Sequence, residues 1–202
     1  MTLETLRGKL AYPPLLLGIV TLLASAALTW AADATHTAIA EAEARDLRDS
    51  LIEVLPAGFA DNDLQNDTIE LDRAGVPLTV YRARAGGLVK GAVFRVAERG
   101  YAADIQILMA VDRDGRLLGV RVIKHSETPG LGDKIEVKKD GWIKSFDGKT
   151  MGAPVASQWA VKKDGGVFDQ FAGATITPRA VVKAVKGGLE FFAVHRDGIL
   201  GE

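Results

Sequence analysis

From Leu10 to Ala32 the chain runs for 23 residues without a charge, LAYPPLLLGIVTLLASAALTWAA. Coiled as an α-helix at about 1.5 Å per residue, the run is long enough to cross a hydrocarbon core of roughly 30 Å. Pro13 and Pro14 fall at its start, where a missing N–H costs little, and Trp30 lies near its far end, where an interfacial aromatic belongs. Arg7 and Lys9 precede the run, and the first charges after it are Asp33, Glu41 and Glu43. The positive-inside rule then predicts a cytoplasmic tail over 1–9, a transmembrane helix over 10–32, and export of everything beyond. Ala32-Asp33-Ala34 also has the small-residue pattern of a signal-peptidase site, so a cleaved leader is the other reading. Either one exports the rest of the chain.

Beyond Ala32, residues 33–56 are rich in Ala, Glu and Arg. Ile39, Leu47, Leu51, Val54 and Leu55 recur near helical spacing before Pro56, which predicts a membrane-proximal helix continuing outward. The acidic DNDLQNDT that starts at Asp61 imitates a calcium loop but has Asn66 where the turn wants Gly and Asp72 where it wants Glu, so it reads as a surface loop. From Ile69 to Lys124 the pattern is that of strands, VPLTVYRARA, GLVKGAVFRVAE, YAADIQILMAVD and RLLGVRVIK, parted by Ala74-Gly75, Gly86-Gly87, Arg99-Gly100 and Asp112–Gly115. Such short gaps predict an antiparallel meander. Past His125 the chain turns irregular, with Trp142, Phe146 and Trp159 dispersed through it and a short hairpin expected over SQWAVKKDGGVFDQ. A last helix is expected from Pro178 to about Arg196, with Val181, Val182, Val185, Leu189 and Phe192 on one stripe and Gly198 as its cap.

Charge and composition exclude several classes. Lys and Arg number 25 against 26 Asp and Glu, a net charge of −1, and they are scattered, so nothing resembles a phosphate-backbone surface and no nucleic-acid partner is expected. The absence of cysteine removes disulfides, thiolate nucleophiles, redox pairs and Cys-held iron–sulfur clusters. His36, His125 and His195 have no ligand spacing, and no metal site is expected. Any redox chemistry must be borrowed from a bound group.

Two segments stand out. In GATITPRAVV, Gly173 to Val182, the spacing puts Thr177 at a helix N-cap and Pro178 at the first helical position. The unpaired N–H groups and positive dipole end would favour an anion beside Thr175, with Gly173 and Ala174 leaving the approach open. A bare helix cap explains Thr177 equally well. In HSETPGLGDK, His125 to Lys134, Thr128, Gly130 and Gly132 sit in a glycine-permitted turn that lets backbone approach a flat ligand, with Leu131 able to cover it. An ordinary turn with a solvated Glu127 is the alternative.

Taken together, FDQFAGATIT and ETPGLG resemble the FMN-binding domain of the G subunit of the Rnf electron-transport complex, which is similar to the C subunit of the sodium-pumping NADH:quinone reductase. The apolar anchor, IAEAEARDL, VLP, Gly100-Tyr101 and VDRDG follow in the same order. The resemblance implies an α+β domain over 57–202, an antiparallel or mixed sheet with flanking helices. It implies FMN joined by a phosphoester to Thr175, the last residue of Asp169-Gln170-Phe171-Ala172-Gly173-Ala174-Thr175, installed by a separate flavin transferase that uses FAD. Ala172 departs from the Ser or Thr common in that motif. Glu127 and Thr128 would bond the flavin or brace its loop, Leu131 would cover a ring face, and Thr177 would bond the phosphate; His125 or Lys134 could adjust the potential.

The implied role is an electron carrier without a catalytic site of its own in a bacterial inner-membrane, ion-translocating complex. It would be a single-pass protein with its C-terminal domain on the periplasmic side, working beside flavin and iron–sulfur subunits in the lipid bilayer. The alternatives are a membrane-tethered binding or assembly module without flavin, and the FMN domain of a quinone-reductase C-type subunit or a membrane regulator.

Overall fold

Side chains that alternate between two covered faces along residues 68–124 build a sheet, buried in unbroken runs on its central strands. The structure is a computed structural model that describes residues 12–73 and 75–201; the proposed tail over 1–9 and Ala74 of the first turn lie outside the described residues. Helix α1 spans Tyr12–Glu53 as one continuous element, and its apolar part is long enough to cross a membrane. Leu47–Glu202 contains one compact unit, and the residues before Leu47 belong to another.

Within the unit that begins at Leu47, five strands form a sheet: β1 Thr68–Arg73, β2 Val76–Ala85, β3 Leu88–Arg99, β4 Asp104–Asp112 and β5 Leu117–Lys124. Their spatial order is their chain order and every pair is antiparallel, the meander that the short turns require. Facing residues define the register of the central strands, Phe94 opposite Met109 and Val96 opposite Ile107.

Both faces of the sheet are covered. On one, Leu51 and Val54 from the end of α1 and the loop after it pack with Leu64, Ala83, Val93, Leu108 and Ala110. On the other, Phe94, Val96, Ile107 and Met109 meet Val181, Val185, Leu189 and Phe192 of helix α2, Ile176–Leu200. The period-2 alternation of β3 and the 3.6-residue stripe of α2 are thus one packing surface seen from its two sides. Ile39, expected on the same stripe as Leu51 and Val54, is exposed.

The acidic loop after α1 has its own partners. Asp63 caps the short turn Leu64–Asn66, and Asp67 takes Arg82 and Arg84. Burial alone would raise the Asp67 carboxyl; the bonds from Arg84 and Arg82 outweigh it and hold the group below the usual carboxylate range.

Two expectations need correction. SQWAVKKDGGVFDQ is not a hairpin: it forms the 3-10 turns Ala156–Gln158 and Lys162–Asp164, and its single bridge, Val161 to Phe168, is parallel. The cause is aromatic burial. Phe146 stacks on Phe168 with centroids 4.4 Å apart, Trp159 leans on both, and Trp142 meets Phe146 and Phe171 edge-on. The end of α2 is also later than expected. Gly198 lies inside the helix, and Gly201, at φ 73°, is the cap. Burial of Ile199 and Leu200 outweighs a mid-helix glycine that costs about 1 kcal/mol relative to alanine.

Removing the ring of Phe146 should empty the middle of this aromatic cluster. Phe146→Ala is expected to lower stability by roughly 3–5 kcal/mol, read as a shifted midpoint in chemical denaturation with far-ultraviolet ellipticity.

Candidate functional site

The aromatic cluster holds one wall of a cleft. Phe168 and Phe171 are buried, and the carbonyl of Asp169 between them accepts the indole N–H of Trp142 at 2.9 Å. Lys162 Nζ lies 2.5 Å from the exposed Asp169 carboxylate, and the Lys163 N–H donates to Gln170. The chain is therefore anchored up to Phe171 and only then turns, with Gly173 at φ 81°, a left-handed value that suits glycine. Thr175 follows, and α2 begins at Ile176.

This overturns the expected helix start. Thr175, not Thr177, is the N-cap residue, and Pro178 is the third helical residue, still within the first turn, where its missing N–H is tolerated. Thr175 has φ −71° and ψ −27°, helical rather than extended, and its side chain does not cap the helix. Among the described residues its hydroxyl has no hydrogen-bond partner, and the residue is half-buried at the cleft wall.

Thr177 has a different task. Its buried hydroxyl donates to Oε2 of Glu127, which is itself only 4% exposed. The other oxygen of Glu127 accepts the backbone N–H groups of Tyr101 at 3.0 Å and Ala102 at 3.3 Å. One carboxylate thus joins the β3–β4 turn, the loop after β5 and the start of α2. The alternative of a solvated Glu127 is excluded by this burial. Because the Thr177 proton points to Glu127, that hydroxyl has none left to donate to an anion.

The loop that carries Glu127 is braced from below. The Glu127 N–H donates to Nδ1 of His125, which leaves Nε2 to carry the proton of a neutral ring and to donate to Glu136 at 3.0 Å. The N–H groups of Leu131 and Gly132 both bond the Thr128 carbonyl at 3.1 Å. A Cβ on Gly132 would sit 2.9 Å from both the Glu127 side chain and the Thr177 hydroxyl, so the chain can pass there only as glycine. Buried Asp133 receives Lys139 at 2.6 Å. That bond first, and the backbone of Gly130 second, hold its carboxyl below the usual carboxylate range.

The outcome is a cleft of about 380 Å³ lined by Tyr101, Glu127, Thr128, Leu131, Gly132 and the run Gly173–Thr177. Its size falls toward the lower end of the ~300–1,000 Å³ typical of organic-ligand pockets. Two segments about forty residues apart in sequence therefore face each other. Of the residues singled out in sequence, Asp169 and Gly130 do not line it; Asp169 ties down the wall, and Gly130, at φ 78°, shapes the turn. His125 and Lys134 are outside it as well. Tyr101 and Ile176 line it and were missed as site residues, because an aromatic in a hairpin turn and an apolar residue at a helix start carry no local signature.

Comparisons with known proteins place the chain among relatives. The family model described as "FMN-binding domain" matches residues 100–190, which include every residue lining the cleft. The G subunit of the ion-translocating oxidoreductase complex of Stutzerimonas stutzeri is 48% identical over 191 residues, 94% of this chain and 84% of that protein. The same subunit from Cereibacter sphaeroides is 49% identical over 187 residues, covering 92% and 85%. A crystal structure of the C subunit of the Na(+)-translocating NADH-quinone reductase from Parabacteroides distasonis aligns at a TM-score of 0.49 and 24% identity, over 59% of this chain and 63% of that one.

The Asp133–Lys139 pair yields a pH dependence. A carboxyl whose value is depressed on folding contributes stability above its unfolded value of ~3.9 and loses that contribution as pH falls through the folded value. Denaturation midpoints taken between neutral and strongly acidic pH are expected to drop below about pH 4, and Lys139→Met is expected to flatten that part of the drop.

Proposed function

The chain belongs to the family formed by the G subunits of ion-translocating oxidoreductase complexes, and from that premise we propose that it is an electron carrier whose FMN is held covalently on Thr175. The observation that carries this reading is the free hydroxyl of Thr175. A threonine at an N-cap ordinarily bonds the helix it precedes, which contributes about 0.5–2 kcal/mol. Here the hydroxyl forgoes that bond, borders the cleft and stands at the end of a 25-residue helix.

The residues fit the group. A phosphoester on Thr175 would lie at the positive end of α2, beside first-turn N–H groups that have no acceptor within the helix. The ring would then extend toward Leu131 and Gly132. Attachment would proceed by attack of the Thr175 oxygen on the FMN phosphorus of FAD under a transferase: a Thr–O–P bond forms, the pyrophosphate P–O bond breaks, AMP departs and the hydroxyl proton is released. Ala172 is exposed, so its difference from Ser or Thr would bear on recognition by the transferase rather than on the acceptor oxygen.

The flavin would supply reversible electron storage. The protein would supply the tether, the cover and the surrounding charge. Glu127 is the acid in the lining, and its side chain holds the wall rather than the phosphate. In the assembled protein α1 crosses the membrane, with the sheet domain on the periplasmic side and redox subunits of the complex as partners. Covalent attachment suits that location, because a nucleotide lost there is not replaced from the cytoplasm.

Intact-mass measurement of chain co-expressed with a flavin transferase tests the assignment. Wild-type protein and Thr175→Ser should carry one added FMN phosphoryl unit and fluoresce after denaturing electrophoresis, whereas Thr175→Ala should show neither. Flavin retained in Thr175→Ala removes Thr175 as the acceptor.

A further inference from the structure

We propose that Tyr101 is a cofactor-contacting residue, its ring covering one face of a flat heteroaromatic group in the Thr175 cleft while Leu131 covers the other. The proposal rests on the reading that Thr175 carries FMN and adds a residue to which that reading gave no role. Tyr101 is 69% exposed, and it is the one exposed aromatic among the described residues of Leu47–Glu202. Among those residues its ring meets no other ring and its hydroxyl makes no hydrogen bond; the bond it does make is through its backbone.

That backbone is held unusually well for one beneath so exposed a side chain. The Gly100 N–H donates to the Ala103 carbonyl at 2.9 Å, closing the turn, while the N–H groups of Tyr101 and Ala102 both reach Oε1 of Glu127. A Cβ on Gly100 would come within 2.5 Å of that same oxygen and 2.8 Å of the Ile105 side chain, so the turn fits against the carboxylate only as it stands. The second oxygen of Glu127 holds Thr177, two residues from Thr175. Tyr101 and the acceptor threonine are thus referenced to one buried group, and the turn cannot shift without disturbing the helix start.

Three exposed apolar side chains meet at one address. Tyr101, Leu131 at 44% and Ile176 at 47% are large, exposed and all in the lining of this cleft. A tyrosine has only two side-chain torsions to order and presents an apolar face with a polar tip, which suits a ring that is dry on its faces and wet at its edge. Offset stacking against a heteroaromatic would bury the Tyr101 face and leave the phenol in water.

The test uses the full-length chain loaded by a co-expressed flavin transferase, with flavin content read by intact mass. Tyr101→Leu is expected to keep its flavin and to raise native flavin emission several-fold toward that of the unfolded protein, because a stacked phenol quenches by giving an electron to the excited ring. Its emission should also become more sensitive to iodide, since one ring face is uncovered. Tyr101→Phe is expected to raise emission while keeping the iodide protection of the wild type. Full flavin load with unchanged emission and unchanged iodide sensitivity in Tyr101→Leu overturns the proposal. So does unchanged emission in Tyr101→Phe, which decides the matter if the leucine variant does not fold. Unchanged spectra together with slower reduction by the complex would make Tyr101 a docking residue and overturn it too. Wild-type chain with no flavin mass would instead mark failure of the Thr175 reading.

Discussion

A carboxylate removed from water must be met by donors, and the Glu127 side chain meets three, drawn from two parts of the chain that would otherwise be independent. Two are backbone N–H groups of the β3–β4 turn and one is the hydroxyl of Thr177. Losing the Thr177 donor would strand buried Oε2, and losing both turn donors would strand Oε1, each at a cost of about 1–3 kcal/mol. This penalty, more than the modest gain from each bond, is why turn, loop and helix start hold one arrangement. The cleft is the space that arrangement leaves between them.

Around this tie the chain divides its work by chemistry. The sheet and α2 meet across an apolar interior, and the aromatic group of Trp142, Phe146, Trp159, Phe168 and Phe171 supplies one for a region with almost no regular structure. Polar bonds then appear at the margins, where segments must be placed to within a fraction of an ångström: Trp142 to the Asp169 carbonyl, His125 between Glu127 and Glu136, Lys139 on Asp133. Packing fixes where the wall stands, and hydrogen bonds fix which way it faces.

Much of this was legible in the sequence, and the misses share one cause. The strands, their order and both long helices follow from periodicity and turn residues, which are local signals. Local pattern singles out GATIT and ETPGLG separately and only the family resemblance sets them around one group, since nothing within either one says that Glu127 answers to a threonine fifty residues later. Thr177 before Pro178 has every local mark of an N-cap, and the local rule gave way because its hydroxyl was taken by a distant carboxylate. The supposed hairpin failed in the same manner: Gly165-Gly166 is a fair turn, but Phe168 belongs to a cluster assembled from residues 142 to 171. Tyr101 entered only as part of the Gly100-Tyr101 pair in the family pattern, with no site role, because what the far side of the cleft presents to it is not written in its neighbours.

The strand order has a further consequence. Each strand pairs with its immediate predecessor, so the sheet can assemble progressively as the polypeptide emerges, with little searching across the sequence. The threonine proposed as acceptor, by contrast, stands just before the final element, and the cleft gains its second wall only when α2 docks on a finished sheet. A modifying enzyme that reads this surface would therefore inspect a completed fold, and a chain released before Thr175 would offer it no hydroxyl to modify.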